Sequence, residues 1–115
     1  MIDKLKKDLI TTVKVSSSTD YELMQRVIKD GFGAHGKSKW INQTIENFLL
    51  KPNFPELVDL ATVMDEQDKT ISIRLSPDLN LKIEQAVLMI RKEFPMIEGV
   101  RSNIIRASIL QELLR

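Results

Sequence analysis

Two segments of the chain carry hydroxyl or cationic side chains at every second position, with mostly apolar residues between them. This spacing predicts two β-strands, each with its polar side chains on one face and its apolar side chains on the other. Lysine and arginine can bond O6 and N7 of guanine, and serine and threonine can bond either type of base pair in the major groove of DNA. The side chains that we expect to contact bases are Thr12, Lys14, Ser16, Thr70, Ser72 and Arg74.

A second group of candidate residues lies at two predicted helix starts, each preceded by a glycine. The free backbone N–H groups of a helix N-terminus bind anions, and a DNA phosphate is one such anion. Hydroxyl and cationic side chains beside those N–H groups would strengthen the binding. The side chains that we expect to hold phosphates are Lys37, Ser38, Lys39, Arg101, Ser102 and Asn103.

Residues 31–38 also match a nucleotide-binding pattern, because Gly-Phe-Gly-Ala-His-Gly-Lys-Ser fits the P-loop sequence G-x-x-x-x-G-K-S/T. A P-loop follows a buried strand, but residues 25–30 contain only two consecutive apolar residues. The chain also has little room for the parallel sheet that a P-loop enzyme requires. We therefore expect these glycines to form a turn between two helices, and P-loop nucleotide binding stays as a remote alternative.

The chain contains the same residue pattern twice, at an offset of 60 residues. Lys14 aligns with Arg74 at this offset, and Ser16 aligns with Ser76. After an insertion of four residues in the second copy, Lys37 aligns with Arg101 and the match continues to the end of the unit. Each copy therefore predicts one strand followed by two helices.

The helix starts and the connector are predicted from local signals. In the second copy Ser76 precedes a proline, which is typical of an N-cap, whereas in the first copy Thr19 and Glu22 predict a capping box. Between the copies, the apolar spacing predicts a short helix from Glu56 to Met64, with Leu60 among its inward residues.

One unit has a single strand without a pairing partner and too few residues for a stable core. We therefore expect one domain, residues 1–115, built from a first unit (9–50), an acidic connector (51–69) and a second unit (70–115). The predicted fold is mainly α, with a two-stranded antiparallel β-ribbon lying on four helices.

The composition limits the classes of function. The 115 residues include 17 Lys and Arg against 16 Asp and Glu, a net charge of +1, and the connector has five acids against two bases. The chain has no cysteine and one histidine, which argues against disulfides, thiol nucleophiles and His-rich metal sites. No apolar run is long enough to cross a bilayer, and no secretion signal is evident. We expect a cytoplasmic protein with no enzymatic activity, cofactor, metal site, membrane partner or small-molecule substrate.

These segments resemble the ribbon-helix-helix DNA-binding proteins of the Arc, MetJ and CopG class. Thr70–Pro77 matches the strand and helix start of that family closely, and Thr12–Val15 matches it less well. In the family, outward strand residues read bases in the major groove and the second helix holds phosphate. The resemblance implies these roles for the two groups of residues above. Two copies in one chain are similar to the TraY branch, in which a chain is its own pseudo-dimer.

The resemblance implies sequence-specific binding of double-stranded DNA, with transcriptional repression as the main expectation. The alternatives are an accessory DNA-binding role in plasmid or mobile-element transfer and an antitoxin-type regulator. Because the two strands differ, the site bound by one molecule is expected to be non-palindromic. Two or more molecules could bind adjacent sites, and the sequence leaves open whether the strands pair within one chain or between two chains.

Overall fold

The computed structural model describes residues 7–62 and 67–115. In these ranges the prediction of a mainly helical fold with a two-stranded antiparallel sheet is confirmed. The elements are β1 (Leu9–Val15), α1 (Ser17–Lys29), α2 (Lys37–Leu49), α3 (Phe54–Ala61), β2 (Lys69–Leu75), α4 (Pro77–Glu93) and α5 (Val100–Leu113).

Strands β1 and β2 form the ribbon, and Thr12 lies opposite Ser72 at its middle. The 60-residue repeat aligns the same two residues. The strand register and the sequence repeat therefore have the same centre. The apolar face of the ribbon packs on the helices, and its buried residues are Val13, Val15, Ile71, Ile73 and Leu75.

The first helix of each half begins at the same place in the repeat. Oγ of Ser16 accepts a hydrogen bond from the backbone N–H of Thr19 at 3.0 Å, and Oγ of Ser76 accepts from that of Leu79 at 3.2 Å. Both serines are therefore N-caps. The predicted capping box of Thr19 and Glu22 is wrong, because α1 begins three residues earlier than that prediction required.

The four-residue insertion in the second copy is one additional helical turn. Helix α1 has 13 residues and α4 has 17, and an α-helix has 3.6 residues per turn. Because the insertion lengthens α4 at its C-terminal end, it leaves the strand and the helix start of the second half in register with those of the first.

The connector helix α3 differs from its prediction in both position and face. It begins at Phe54 and ends at Ala61, so the predicted end at Met64 lies outside the described residues. Its buried side chains include Phe54 and Val58, whereas the predicted inward residue Leu60 is 59% exposed. The earlier start adds Phe54 to the helix, and the face that contains Phe54, Val58 and Ala61 packs on α5 and α4.

Helix α5 lies at the centre of the fold. It packs against β1 and against each of the other four described helices. Its buried residues are Val100, Asn103, Ile104, Ile105, Arg106, Ala107, Ser108 and Ile109. The helix is buried on more than one side, because α3 covers a side that the two-unit pattern did not predict. Within the described ranges, every helix is too short or too polar to span a bilayer.

Candidate nucleic-acid interface

The face of the ribbon that points away from the helices is exposed and polar. It contains five of the six side chains that were predicted to contact bases. Because successive residues of a strand point to opposite faces, these five lie together although they come from two distant segments. Across the strands, the opposing pairs are Ile10 with Arg74, Thr12 with Ser72, and Lys14 with Thr70.

Ser16 is the predicted base-contacting residue that the structure does not bring to this face. Its side chain is 7% exposed, and its hydroxyl caps α1 by bonding both the backbone N–H and Oγ1 of Thr19. The repeat contained the signal for this role, since Ser16 aligns with the N-cap Ser76. The sixth outward position belongs instead to Ile10, the equivalent of Thr70, which the prediction missed.

The second helix of each half bonds the outer edge of the other half's strand. Nδ2 of Asn42, on α2, donates to the carbonyl oxygen of Arg74 at 2.8 Å, and Oγ of Ser38 accepts from the backbone N–H of Arg74 at 3.0 Å. On the other side, Nε of Arg106, on α5, donates to the carbonyl oxygen of Lys14 at 2.8 Å. The backbone of both cation-bearing strand residues is therefore fixed by helices.

Asn42 and Arg106 are functional candidates that sequence reasoning missed. They occupy equivalent positions once the four-residue insertion is counted, and each follows a buried isoleucine within an apolar stripe. A polar residue at that position in both copies was the available signal. Arg106 is only 4% exposed, so its place in the interior of the fold is unusual for an arginine.

The N-terminus of α2 has the features of an anion site. Its N-cap residue is Gly36, which supplies no side-chain cap, and its first turn contains no acidic residue. Lys39 is exposed and Lys37 is partly exposed at this start. Ser38 accepts the hydrogen bond from Arg74, and its own hydroxyl hydrogen is not used in that bond. The three predicted phosphate-binding residues of the first half thus lie together beside the ribbon.

The N-terminus of α5 is different, because two of its three predicted residues bond other parts of the protein. The guanidinium of Arg101 bonds Oδ1 of Asn80 and lies 3.7 Å from Glu84, both on α4. Asn103 is 7% exposed and donates from Nδ2 to the carbonyl oxygen of Glu98 at 3.0 Å. Ser102 and Asn103 line an open groove, whereas Arg101 does not. The two helix starts, expected to be alike, are therefore unequal.

Comparisons with protein-family models, with curated proteins and with solved structures give no match. Function is therefore inferred from the geometry of the ribbon and of the helices beside it.

An open groove of about 900 Å³ lies between β1, the start of α5 and the end of α3. Its lining includes Lys14 and Ser102, but also the carboxylates of Asp59 and Glu98. Carboxylates repel a phosphate, so the start of α5 is less favourable for an anion than the start of α2. In the described part of the chain, no cluster of three or more acidic or histidine side chains could hold a metal ion.

Asp68 joins the end of the connector to the start of α1. Its carboxylate accepts hydrogen bonds from the hydroxyl of Ser17 at 3.0 Å and from the backbone N–H of Ser17 at 2.9 Å. These two bonds lower the pKa of Asp68, because they favour its charged form. The contact fixes the residue that precedes β2 against the first turn of α1.

The P-loop-like segment forms the turn between α1 and α2. Gly31 and Gly33 have φ angles of +85° and +78°, and a Cβ atom on Gly36 would lie 2.2 Å from the carbonyl oxygen of Phe32. The segment follows a helix, and the sheet formed by the described residues is antiparallel. The nucleotide-binding alternative therefore lacks the preceding strand that a P-loop needs.

Proposed function

We propose that this protein binds double-stranded DNA sequence-specifically by inserting the β1–β2 ribbon into the major groove. One observation carries the proposal: five hydrogen-bonding side chains lie on the exposed face of a two-stranded ribbon, and helices fix the backbone at both of its cations. A ribbon of this width fits the major groove, where each base pair presents a distinct pattern of donors and acceptors. Arg74 and Lys14 would bond guanine, and Thr12, Thr70 and Ser72 would bond neighbouring bases.

The proposed architecture is a tandem ribbon-helix-helix pseudo-dimer within one chain. Two observations support it: the repeat and the strand register have the same centre, and each second helix bonds the strand of the other half. In this arrangement one molecule presents a complete reading face. We expect sedimentation equilibrium at nanomolar concentration to give the mass of one chain, and a dimer mass would assign the strands to two chains.

The start of α2 is the proposed main contact to the DNA backbone. Lys37, Ser38 and Lys39 lie beside uncapped N–H groups, whereas the start of α5 has Glu98 nearby and an Arg101 already bonded to α4. The protein would therefore hold the backbone more strongly on the β2 side of the ribbon. The proposed biological role is transcriptional repression, since a protein seated in the groove at a promoter excludes other proteins from that site.

Selection of bound sequences from random duplex DNA tests this function. We expect enrichment of one non-palindromic sequence. The variant Arg74→Ala should lose about 1–3 kcal/mol of binding free energy on that sequence and relax the preference at one position. Arg91→Ala, at an exposed position on α4, is the matched control and should bind as the parent does. If no sequence is enriched, or if Arg74→Ala binds like the parent, the ribbon is not the reading surface.

A further inference from the structure

Ile10 is the one apolar side chain among the six on the outward face of the ribbon. It is 69% exposed, although the other five positions hold threonine, serine, lysine or arginine. A protein that used this face only for solvation would favour a polar residue there, as the equivalent position in the second strand does with Thr70. A single exposed isoleucine elsewhere on a surface is common. On a face proposed to contact bases, an apolar side chain affects which DNA sequence is preferred.

The position of Ile10 places it beside the cation of the other strand. Ile10 lies opposite Arg74 in the register. The backbone N–H and C=O of Arg74 bond Ser38 and Asn42, so they point away from β1. Ile10 and Arg74 therefore form a non-hydrogen-bonded pair, the type in which opposing side chains lie closest together. The side chains of Ile10 and Arg74 therefore project side by side from the same end of the ribbon.

The major groove offers one apolar feature to such a side chain. Thymine carries a 5-methyl group at its edge, whereas the other bases present donors and acceptors. On the basis of the proposed DNA binding, we infer that Ile10 contacts the methyl group of a thymine within one base pair of the base that Arg74 reads. The opposite end of the ribbon carries Lys14 and Thr70, which can form hydrogen bonds at both positions. The two ends of the reading face therefore recognise different chemistry.

Replacement of thymine by deoxyuridine tests this inference, because it removes the methyl group and leaves the base pairing intact. In the selected duplex, each thymine is replaced in turn, and the dissociation constant is measured for the parent and for Ile10→Ser. The base read by Arg74 is located independently, as the position where Arg74→Ala relaxes the preference. For the parent, we expect deoxyuridine at one thymine next to that position to weaken binding about fourfold.

Two further variants identify the side chain responsible. Ile10→Ser should bind the thymine and uracil duplexes equally, whereas Ile10→Leu should keep a preference for thymine. Ile28→Ser, at a 57% exposed isoleucine on α1, is the matched control and should keep the full uracil effect.

The outcomes separate this inference from the proposed function. If the parent selects a sequence but no thymine next to the Arg74 position is sensitive to uracil, the inference is wrong and DNA reading by the ribbon stands. Retention of the uracil effect by Ile10→Ser also overturns the inference. If no sequence is selected at all, the proposed function fails, and the inference fails with it.

Discussion

Arg106 and Lys14, 92 residues apart in the chain, are joined by a hydrogen bond of 2.8 Å from Nε to the backbone carbonyl oxygen. The buried guanidinium of Arg106 holds the main chain of Lys14, and the side chain of Lys14 lies on the exposed face of the ribbon. Arg106 also bonds Oδ1 of Asn103 on its own helix. The main chain of Lys14 is therefore held at the outer edge of β1 by a side chain of the other half.

Replacing Arg106 by methionine keeps much of the side-chain length and removes its donors. The carbonyl oxygen of Lys14 then loses its partner at the outer edge of β1, and we expect unfolding to require about 1–3 kcal/mol less free energy. Urea denaturation measures this difference. Arg91→Met, at an exposed site, should change stability by less than about 0.5 kcal/mol. Equal stabilities for the two variants would mean that the Arg106 bonds contribute nothing to the folded state.

Lys39 and Arg101 should affect the salt dependence of DNA binding unequally. A plot of log K against log salt has a negative slope for DNA binding. Lys39→Ala should make that slope less negative by about 0.9, the value for one lost phosphate contact. Arg101→Ala should change the slope less, because its guanidinium already bonds Asn80 and Glu84. Titrations at several salt concentrations give both slopes, with Lys92→Ala as a control on α4. Similar slope changes for Lys39→Ala and Arg101→Ala would show that the two helix starts grip DNA alike.

The bonds of Asp68 to Ser17 make part of the stability depend on acid pH. The folded state lowers the pKa of Asp68 from its ordinary value of 3.8. The stabilisation that these bonds give to the folded state is therefore fully present above pH 3.8, and it is lost as the pH falls through the lower pKa of the folded state. Carbon NMR titration should place the midpoint of Asp68 below 3.8. Ser17→Ala removes the hydroxyl donor and should move the midpoint upward. A midpoint that Ser17→Ala leaves in place would exclude the hydroxyl bond as a cause.

A methyl group on Gly36 should disturb the turn between α1 and α2. The added Cβ would overlap the carbonyl oxygen and Cβ of Phe32, so we expect Gly36→Ala to lower stability by about 1–3 kcal/mol. Thermal unfolding monitored by circular dichroism measures the loss. Ala34→Ser, in the same turn but exposed, should lie within about 0.5 kcal/mol of the parent. Parent-like stability of Gly36→Ala would mean that the turn can move away from α2.

Titration with ATP and magnesium examines the same segment as a nucleotide site. We expect no saturable binding, since helix α1 stands where a P-loop requires a strand. Isothermal calorimetry with the parent and with Lys37→Ala provides the measurement. Micromolar affinity that disappears in Lys37→Ala would restore the P-loop interpretation.

The features that the sequence predicted well are those set by local spacing and by the repeat. Alternation of two residues identified the outward face, and the offset of 60 residues aligned Thr12 with Ser72 as the register does. The N-cap at Ser76 followed from the proline after it. Each of these depends on residues close together in the chain or on equivalent positions, where periodicity is informative.

The features that it missed depend on contacts between distant segments. Arg101 has the composition of a phosphate ligand, but its guanidinium bonds α4 instead, and only the packing of α4 against α5 decides this. Asn42 and Arg106 are polar residues within apolar stripes, and their role appears only when the partner strand lies against them. Ser16 was a different error, because its repeat equivalent already indicated a cap.

The exchange of contacts between halves, in which α2 bonds β2 and α5 bonds β1, also has a consequence for folding. The outer edge of each strand bonds a helix of the other half, and the two strands pair across 54 to 66 residues, so the ribbon forms only when distant segments of the chain have come together. Contacts of this range slow folding. They also make separate opening of one half costly, so we expect hydrogen exchange to give the same free energy of opening for the protected amides of both strands. The whole molecule would then unfold as a single cooperative unit.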